Sequence, residues 1–276
     1  MYENLPLLQI IPTAQILLHE EFDAKRVEPL VREIRKRKII TNPPIVAPIA
    51  GRRAYVVLDG ANRVMAARAL GLPHVLAQVV DYKDPQIVLS KWDHVVMHFS
   101  DEEFFTRLLQ IGGVEIHRAT LASARRALDR REIFCYFHHR DWGTAALRRA
   151  RRASSEVRLL CAITGIYKDR ASILRVQLRA RTPRELTLDD AFLLAFPTFT
   201  KRDIVRCAVS ASEKLPTGIS RHIIPNRALK VNFPIEVLRS RKSIAEKTLA
   251  LQALVADRAR RKAIRHYTEA TYIYDE

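Results

Sequence analysis

The sequence predicts a mixed α/β (α+β) fold, and three observations predict it. In residues 54–75, "AYVVLDGANRVMAARALGLPHV", four β-prone residues, Tyr55 to Leu58, run straight into Asp59-Gly60. The pattern there changes to a helical period that stops at Gly71. Strand-like and helix-like segments also alternate through the first hundred residues, as in βαβ-type architectures. A chain of 276 residues, finally, can bury a sizeable core and is expected to divide into two lobes.

The elements follow in chain order. Residues 6–18, "PLLQIIPTAQILL", are apolar and extended, with Pro12 marking an edge or a break. "LHEEF" is a loop, and residues 24–37 place Val27, Leu30, Val31 and Ile34 on one helical stripe capped by Asp23. "TNPP" interrupts the chain before the short strand "IVAPI", the turn Gly51-Arg52-Arg53, a strand over 54–58, a helix over 61–70 and a strand over 74–81. From about residue 98 the pattern predicts a helix over "DEEFFTRLLQIGG", a strand at "VEIHRA", helices over 120–130 and 143–153 around a strand at 132–138, and strands at 157–163 and 172–178. A helix over 187–194 follows, then one over "TKRDIVRCAVSASEKLP" that ends before Pro216, loop and strand through residue 238, and a basic helix over 240–266. The expected division is an α/β lobe over 1–97, a second mixed α/β lobe over 98–239, and a basic C-terminal helix and tail over 240–276.

Composition narrows the function. Lys and Arg number 47 against 30 Asp and Glu, a formal charge of +17, which favours polyanions or phosphorylated ligands. The arginines gather at 125–131 ("RRALDRR"), 148–152 ("RRARR") and 258–265 ("RARRKAIR"), each beside Ala and Leu, which predicts helices with a basic face. No apolar run is long enough to cross a membrane, and there is no basic-then-apolar leader. Cys135, Cys161 and Cys207 are odd in number and widely spaced, which argues for a reducing, cytoplasmic setting and against a disulfide frame or zinc site. Cys135, His138 and His139 in "CYFHH" match no structural zinc spacing.

Three polar clusters interrupt apolar segments: His19-Glu20-Glu21, Asp59 to Arg63, and Ser220-Arg221-His222. A helix start presents unpaired N–H groups and a positive dipole end, which suits phosphate. Beside it, Asp59 can hold a metal or a hydroxyl and Arg63 can fork onto phosphate oxygens, or the pair can be an N-cap and a solvated arginine. Glu20 or Glu21 can act as a general base or stand as an exposed loop acid, and Arg221 with His222 can clamp a carboxylate.

Taken together, "LHEEF", "VVLDGANR", the strand end "VVDY", Trp92 and "SRHIIP" resemble the free L-serine kinases of the ParB/sulfiredoxin fold, over roughly residues 8–95 and 215–238. That family includes an archaeal ADP-dependent enzyme and a siderophore-pathway kinase making O-phosphoserine. The resemblance implies a ParB/sulfiredoxin-like N-terminal nucleotide-binding lobe and transfer of a nucleotide phosphate to free L-serine in amino-acid metabolism. It implies Glu20 as the base that takes the serine proton and Asp59 as the side chain that holds Mg²⁺ or orients the attacking oxygen. Gly60, Ala61, Asn62 and Arg63 would cradle the donor phosphates. His19 and Trp92 would border the serine pocket, while Ser220, Arg221 and His222 would bind the serine carboxylate and the transferred phosphate. The archaeal enzyme carries two histidines inside DG-x-x-R where this chain has Ala61-Asn62, which favours ATP over ADP as donor. The spacing from Pro216 to Arg221 is one residue longer than in the family. The alternative is a ParB-like nucleic-acid-binding transcriptional regulator or partition-type protein, touching DNA through its Arg-rich helices.

Overall fold

The computed structural model describes residues 5–178 and 191–267. Packing divides the chain into two compact units, and the division is not sequential. The first comprises residues 1–17, 22–84 and 224–276, the second residues 18–21 and 85–223. The breaks at Asp84 and Ile223 differ from the expected ones at 97 and 239, and the C-terminal helix belongs to the first unit.

The first unit opens with β1 (Leu8–Pro12), a single 3₁₀ turn at Thr13–Gln15 and β2 (Ile16–Leu17). Pro12 supplies the break there, because its fixed φ and missing N–H end a strand. Helix α1 (Ala24–Arg37) has the predicted bounds, its Asp23 side chain accepting from the Lys25 amide. It buries Val31 and Ile34 and stops at Lys38, which is in the left-handed region. Next come β3 (Ile39–Ile40), β4 (Ile45–Pro48), β5 (Tyr55–Asp59), α2 (Ala61–Ala69) and β6 (His74–Val79). Five strands form one sheet in the order β1-β6-β4-β5-β2. Its central strands are buried on both faces, as the continuous apolar runs "IVA" and "VVL" require.

The second unit contains β7 (Val88–Lys91), β8 (Asp93–Met97), α3 (Asp101–Leu109), β9 (Val114–Ala119), α4 (Leu121–Asp129), β10 (Cys135–His139), β11 (Gly143–Arg149), α5 (Glu156–Tyr167), β12 (Ser172–Val176), β13 (Ala191–Ala195), α6 (Lys201–Val209) and β14 (Ser220–Ile223). Six strands pair antiparallel in the order β12-β8-β13-β10-β11-β9, and β14 pairs with β7 as a separate ribbon. One core layer packs Val95, Tyr136 and Leu193 against Leu128 of α4. Another stacks Phe104, Phe137 and Phe192, with ring centroids 4.7–5.5 Å apart.

Four expected elements differ here. Residues 143–149 form a strand, not a helix: Gly143 closes a hairpin, and ladders to β10 and β9 override the helix propensity of Ala, Leu and Arg. The 148–152 arginines therefore sit on a strand end and the turn after it. Residues 157–163 lie in α5, capped by Ser155, because a short apolar run buried on most sides does not reveal its period. Residues 191–194 belong to the buried strand β13, and the rest of that expected helix, 187–190, lies outside the described residues. Helix α6 ends at Val209 rather than near Pro216, because Ser210 is extended.

The chain returns to the first unit with β15 (Phe233–Pro234), α7 (Ile235–Arg239) and α8 (Ile244–Arg260), narrower than the predicted 240–266. Strand β15 pairs with β3. Lys247 of α8, wholly buried, donates to the Leu238 carbonyl and lies 3.0 Å from His74 Nδ1, so the basic helix is anchored by one lysine taken out of water.

Candidate functional site

Functional side chains gather in one cluster within each unit. In the first unit the cluster is built on the β5–α2 junction. Gly60 is the N-cap of α2, at φ +93°, and a Cβ there would meet the Arg63 guanidinium at 2.9 Å, so glycine is required. No side chain among the described residues caps α2, and its first turn holds no acid. Its leading N–H groups, from Ala61 onward, are therefore available to an anion.

The flanking side chains are turned to the protein. Arg63 donates to the carbonyls of Asn42 (3.1 Å) and Pro43 (2.8 Å) and to Asp59 Oδ2 (2.6 Å). It thus holds the "TNPP" loop over the helix start and does not project as a free fork. Asn62 Oδ1 accepts from the Asp23 amide at 3.2 Å, tying α2 to the start of α1. Asp59 Oδ2 also accepts from Arg227, a residue that sequence reasoning missed, 168 positions away and in no periodic pattern.

A cavity of about 330 Å³ opens beside Arg63. Leu30, Ile34 and Ile40 supply an apolar wall, and Thr41, Asn42 and Lys230 supply polar groups. Apolar walls with a few directed polar groups are the lining of a small-molecule site, and Glu33 and Arg37 add one charge of each sign. As for a metal, no cluster of three or more His, Cys, Asp or Glu side chains exists among the described residues. Asp59 fits only the part of a single carboxylate toward a Mg²⁺ ion that brings phosphate and water ligands with it.

The second unit brings together residues about two hundred positions apart. Glu20 bridges to Leu215: the Glu21 amide donates to the Leu215 carbonyl, and the Leu215 amide donates to the His19 carbonyl. Glu20 Oε2 then receives the Gly218 amide at 3.3 Å and the Ser220 hydroxyl at 3.5 Å. His19 Nε2 lies 2.9 Å from Ser220 Oγ, and its ring meets His222 edge to face at 5.5 Å. Trp92, the one residue between β7 and β8, has its ring under the Arg221 guanidinium at 4.4 Å. Among the described residues Arg221 has no carboxylate partner, so its charge is available to a ligand. Ser220 and His222 thus adjoin Glu20 and His19, while Arg221 and Trp92 contact each other. Gly218 was missed, although its place in "PTGIS" was the one available signal.

Glu21 pairs instead with Lys168 at 2.9 Å, at the surface. The "CYFHH" side chains spread along β10: burial pushes the Cys135 thiol up, His138 bonds Thr144, and His139 faces Asp101 at 3.3 Å.

No protein-family model matches the chain. An ATP-dependent L-serine kinase of Staphylothermus marinus is 36% identical over 83 residues, 30% of this chain. That match spans only a third of the relative's length. The ATP-dependent L-serine kinase SbnI of Staphylococcus aureus is 23% identical over 98% of this chain and 97% of its own. Among solved structures, SbnI with a C-terminal truncation superposes with a TM-score of 0.75 at 21% identity, over 91% of this chain and 97% of that one. A free serine kinase in complex with AMP superposes at 0.74 and 16% identity, over 86% and 95%. The chain therefore has the fold of the free serine kinases.

Proposed function

We propose that this chain is a kinase of free L-serine that transfers the terminal phosphate of a nucleotide to the serine hydroxyl and releases O-phospho-L-serine. The observation that carries the reading is the half-buried carboxylate of Glu20, ringed by His19, Gly218 and Ser220 and followed by an arginine and a histidine. Such a set can receive a small amino acid: Arg221 takes its carboxylate, Trp92 walls it, and Glu20 faces its hydroxyl.

The donor belongs to the first unit. The open helix start at Gly60 to Asn62 receives phosphate through backbone N–H groups, and the cavity beside Arg63 takes the nucleoside. Asp59 would offer one carboxylate to a Mg²⁺ ion carried by the nucleotide, which would neutralise phosphate charge there. ATP is the donor favoured by Ala61-Asn62 and by the names of the relatives. In the transfer, Glu20 accepts the proton of the serine Oγ, a bond forms from Oγ to the terminal phosphorus, and the bond from that phosphorus to its bridging oxygen breaks. Phosphoryl transfer of this kind depends on positioning and charge neutralisation more than on covalent chemistry.

Purified protein incubated with Mg²⁺, L-serine and either ATP or ADP should form phosphoserine, read by ³¹P NMR, with loss of the donor. Absence of phosphoserine with every nucleotide tested would show the reading to be wrong.

A further inference from the structure

His94 lies outside every motif that marks the site. It is on β8, two residues after Trp92, and is buried. Its Nε2 is 3.0 Å from the Gly218 carbonyl oxygen, and its Nδ1 is 2.8 Å from the Tyr167 hydroxyl. A carbonyl oxygen can only accept, so the ring proton is on Nε2, and the Tyr167 hydroxyl must donate to Nδ1. Both ring nitrogens are used, and the tautomer is fixed. Phe196 packs edge to face on the same ring at 4.9 Å. Burial pushes the imidazole down to about 4, so at neutral pH the ring is uncharged and keeps this donor pattern.

The held residue is also one that touches Glu20. Gly218 is buried at φ +77°, and any Cβ there would run into the Arg175 guanidinium. Its carbonyl accepts from His94 while its amide donates to Glu20 Oε2. These groups flank a single Cα, so anchoring one fixes the direction of the other.

We propose that His94 is a positioning residue: it sets the Gly218 turn and, through the Gly218 amide, the direction of the Glu20 carboxylate. The consequence for turnover rests on the reading of Glu20 as the base, whereas the anchoring itself does not.

Two substitutions separate a specific donor from mere space filling. In His94→Gln the side-chain amide nitrogen reaches the position of Nε2 and can donate to the Gly218 carbonyl. In His94→Asn it stops near Nδ1 and cannot. Amide hydrogen exchange of the peptide over residues 215–220, read by mass spectrometry, should be at least about tenfold faster in His94→Asn and close to wild type in His94→Gln, with helix α4 unchanged in both. With serine as substrate, kcat should fall about tenfold to a hundredfold in His94→Asn at nearly constant KM, and the glutamine variant should recover most of it. Should the asparagine variant not fold, Tyr167→Phe keeps the packing, releases Nδ1 and should speed exchange of the same peptide. Equal exchange in the two His94 variants, or unchanged exchange in Tyr167→Phe, overturns the proposal. A wild type that phosphorylates no serine would overturn the kinase reading instead, and the exchange data would still decide the role of His94.

Discussion

Arg63→Ala tests how the β5–α2 junction is built. Taken from sequence, this arginine would fork onto phosphate, and its loss would weaken nucleotide binding by about tenfold to a hundredfold and leave the fold alone. In the structure its three bonds run to Asn42, Pro43 and Asp59. The Asp59 pair is partly exposed and is worth about 1 kcal/mol at most. The two carbonyls each accept from a charged donor, a bond worth roughly 1.5–3 kcal/mol, and truncation leaves both under-satisfied. Allowing for non-additivity among bonds of one side chain, the variant should lose about 2–4 kcal/mol of stability. At roughly 2–4 °C per kcal/mol for a chain of this size class, Tm should fall by about 5–15 °C. Thermal unfolding followed by circular dichroism measures that fall, and calorimetric titration with nucleotide measures affinity in the same preparation. Affinity should fall as well, because the loop that Arg63 holds lines the cavity. Arg63→Lys keeps the charge without the fork and should lie between the two. An unchanged Tm with weakened affinity would restore the outward-reaching arginine and refute the anchoring role; no change in either would refute both.

Glu20→Gln should leave nucleotide affinity nearly unchanged and lower turnover by about a hundredfold to ten-thousandfold, the range for a general base. Its neighbour Glu21→Gln, losing a surface pair to Lys168 and weakening a contact with Cys161, should cost little; a reversed result would move the base by one residue. Stability should depend on His94 in acid. Its folded pKa of about 4 lies below the unfolded value near 6.5, so its contribution is complete above about pH 6.5 and lost as pH falls toward 4. The difference amounts to about 3 kcal/mol, which denaturant titrations at pH 7 and pH 4 should register and His94→Gln should flatten. A DNA-binding role for the basic clusters requires a log–log salt slope of about −0.9 per phosphate contact on duplex, and a flat response in a fluorescence-anisotropy titration would rule that role out.

Sequence alone revealed what local chemistry decides and missed what distant partners decide. Helix α1 was legible to the residue because Asp23 caps it and its apolar stripe repeats at the helical period. The junction at Asp59-Gly60 was legible because β-prone residues give way there to a helical period that stops at Gly71. Strand β11 was not, since Ala, Leu and Arg favour helix and only the flanking β10 and β9 make them a strand. Nor was α5, buried on so many sides that its apolar residues lose their period.

The same distinction explains why a motif names the residue types at a site and not the bonds they make. A short motif records which side chains a site needs, because donor and acceptor chemistry is a property of residue type. The direction each side chain takes is set by whatever stands opposite it. The carbonyls of Asn42 and Pro43 turn Arg63 inward, and the Asp23 amide claims Asn62. Arg227, 168 positions from Asp59, completes a carboxylate that otherwise looks free for a metal. On the proposed reading of Asp59 as a Mg²⁺ ligand, a second cation there would weaken that hold unless phosphate charge arrives to draw the arginine away, so metal and nucleotide should bind this junction together and not in sequence.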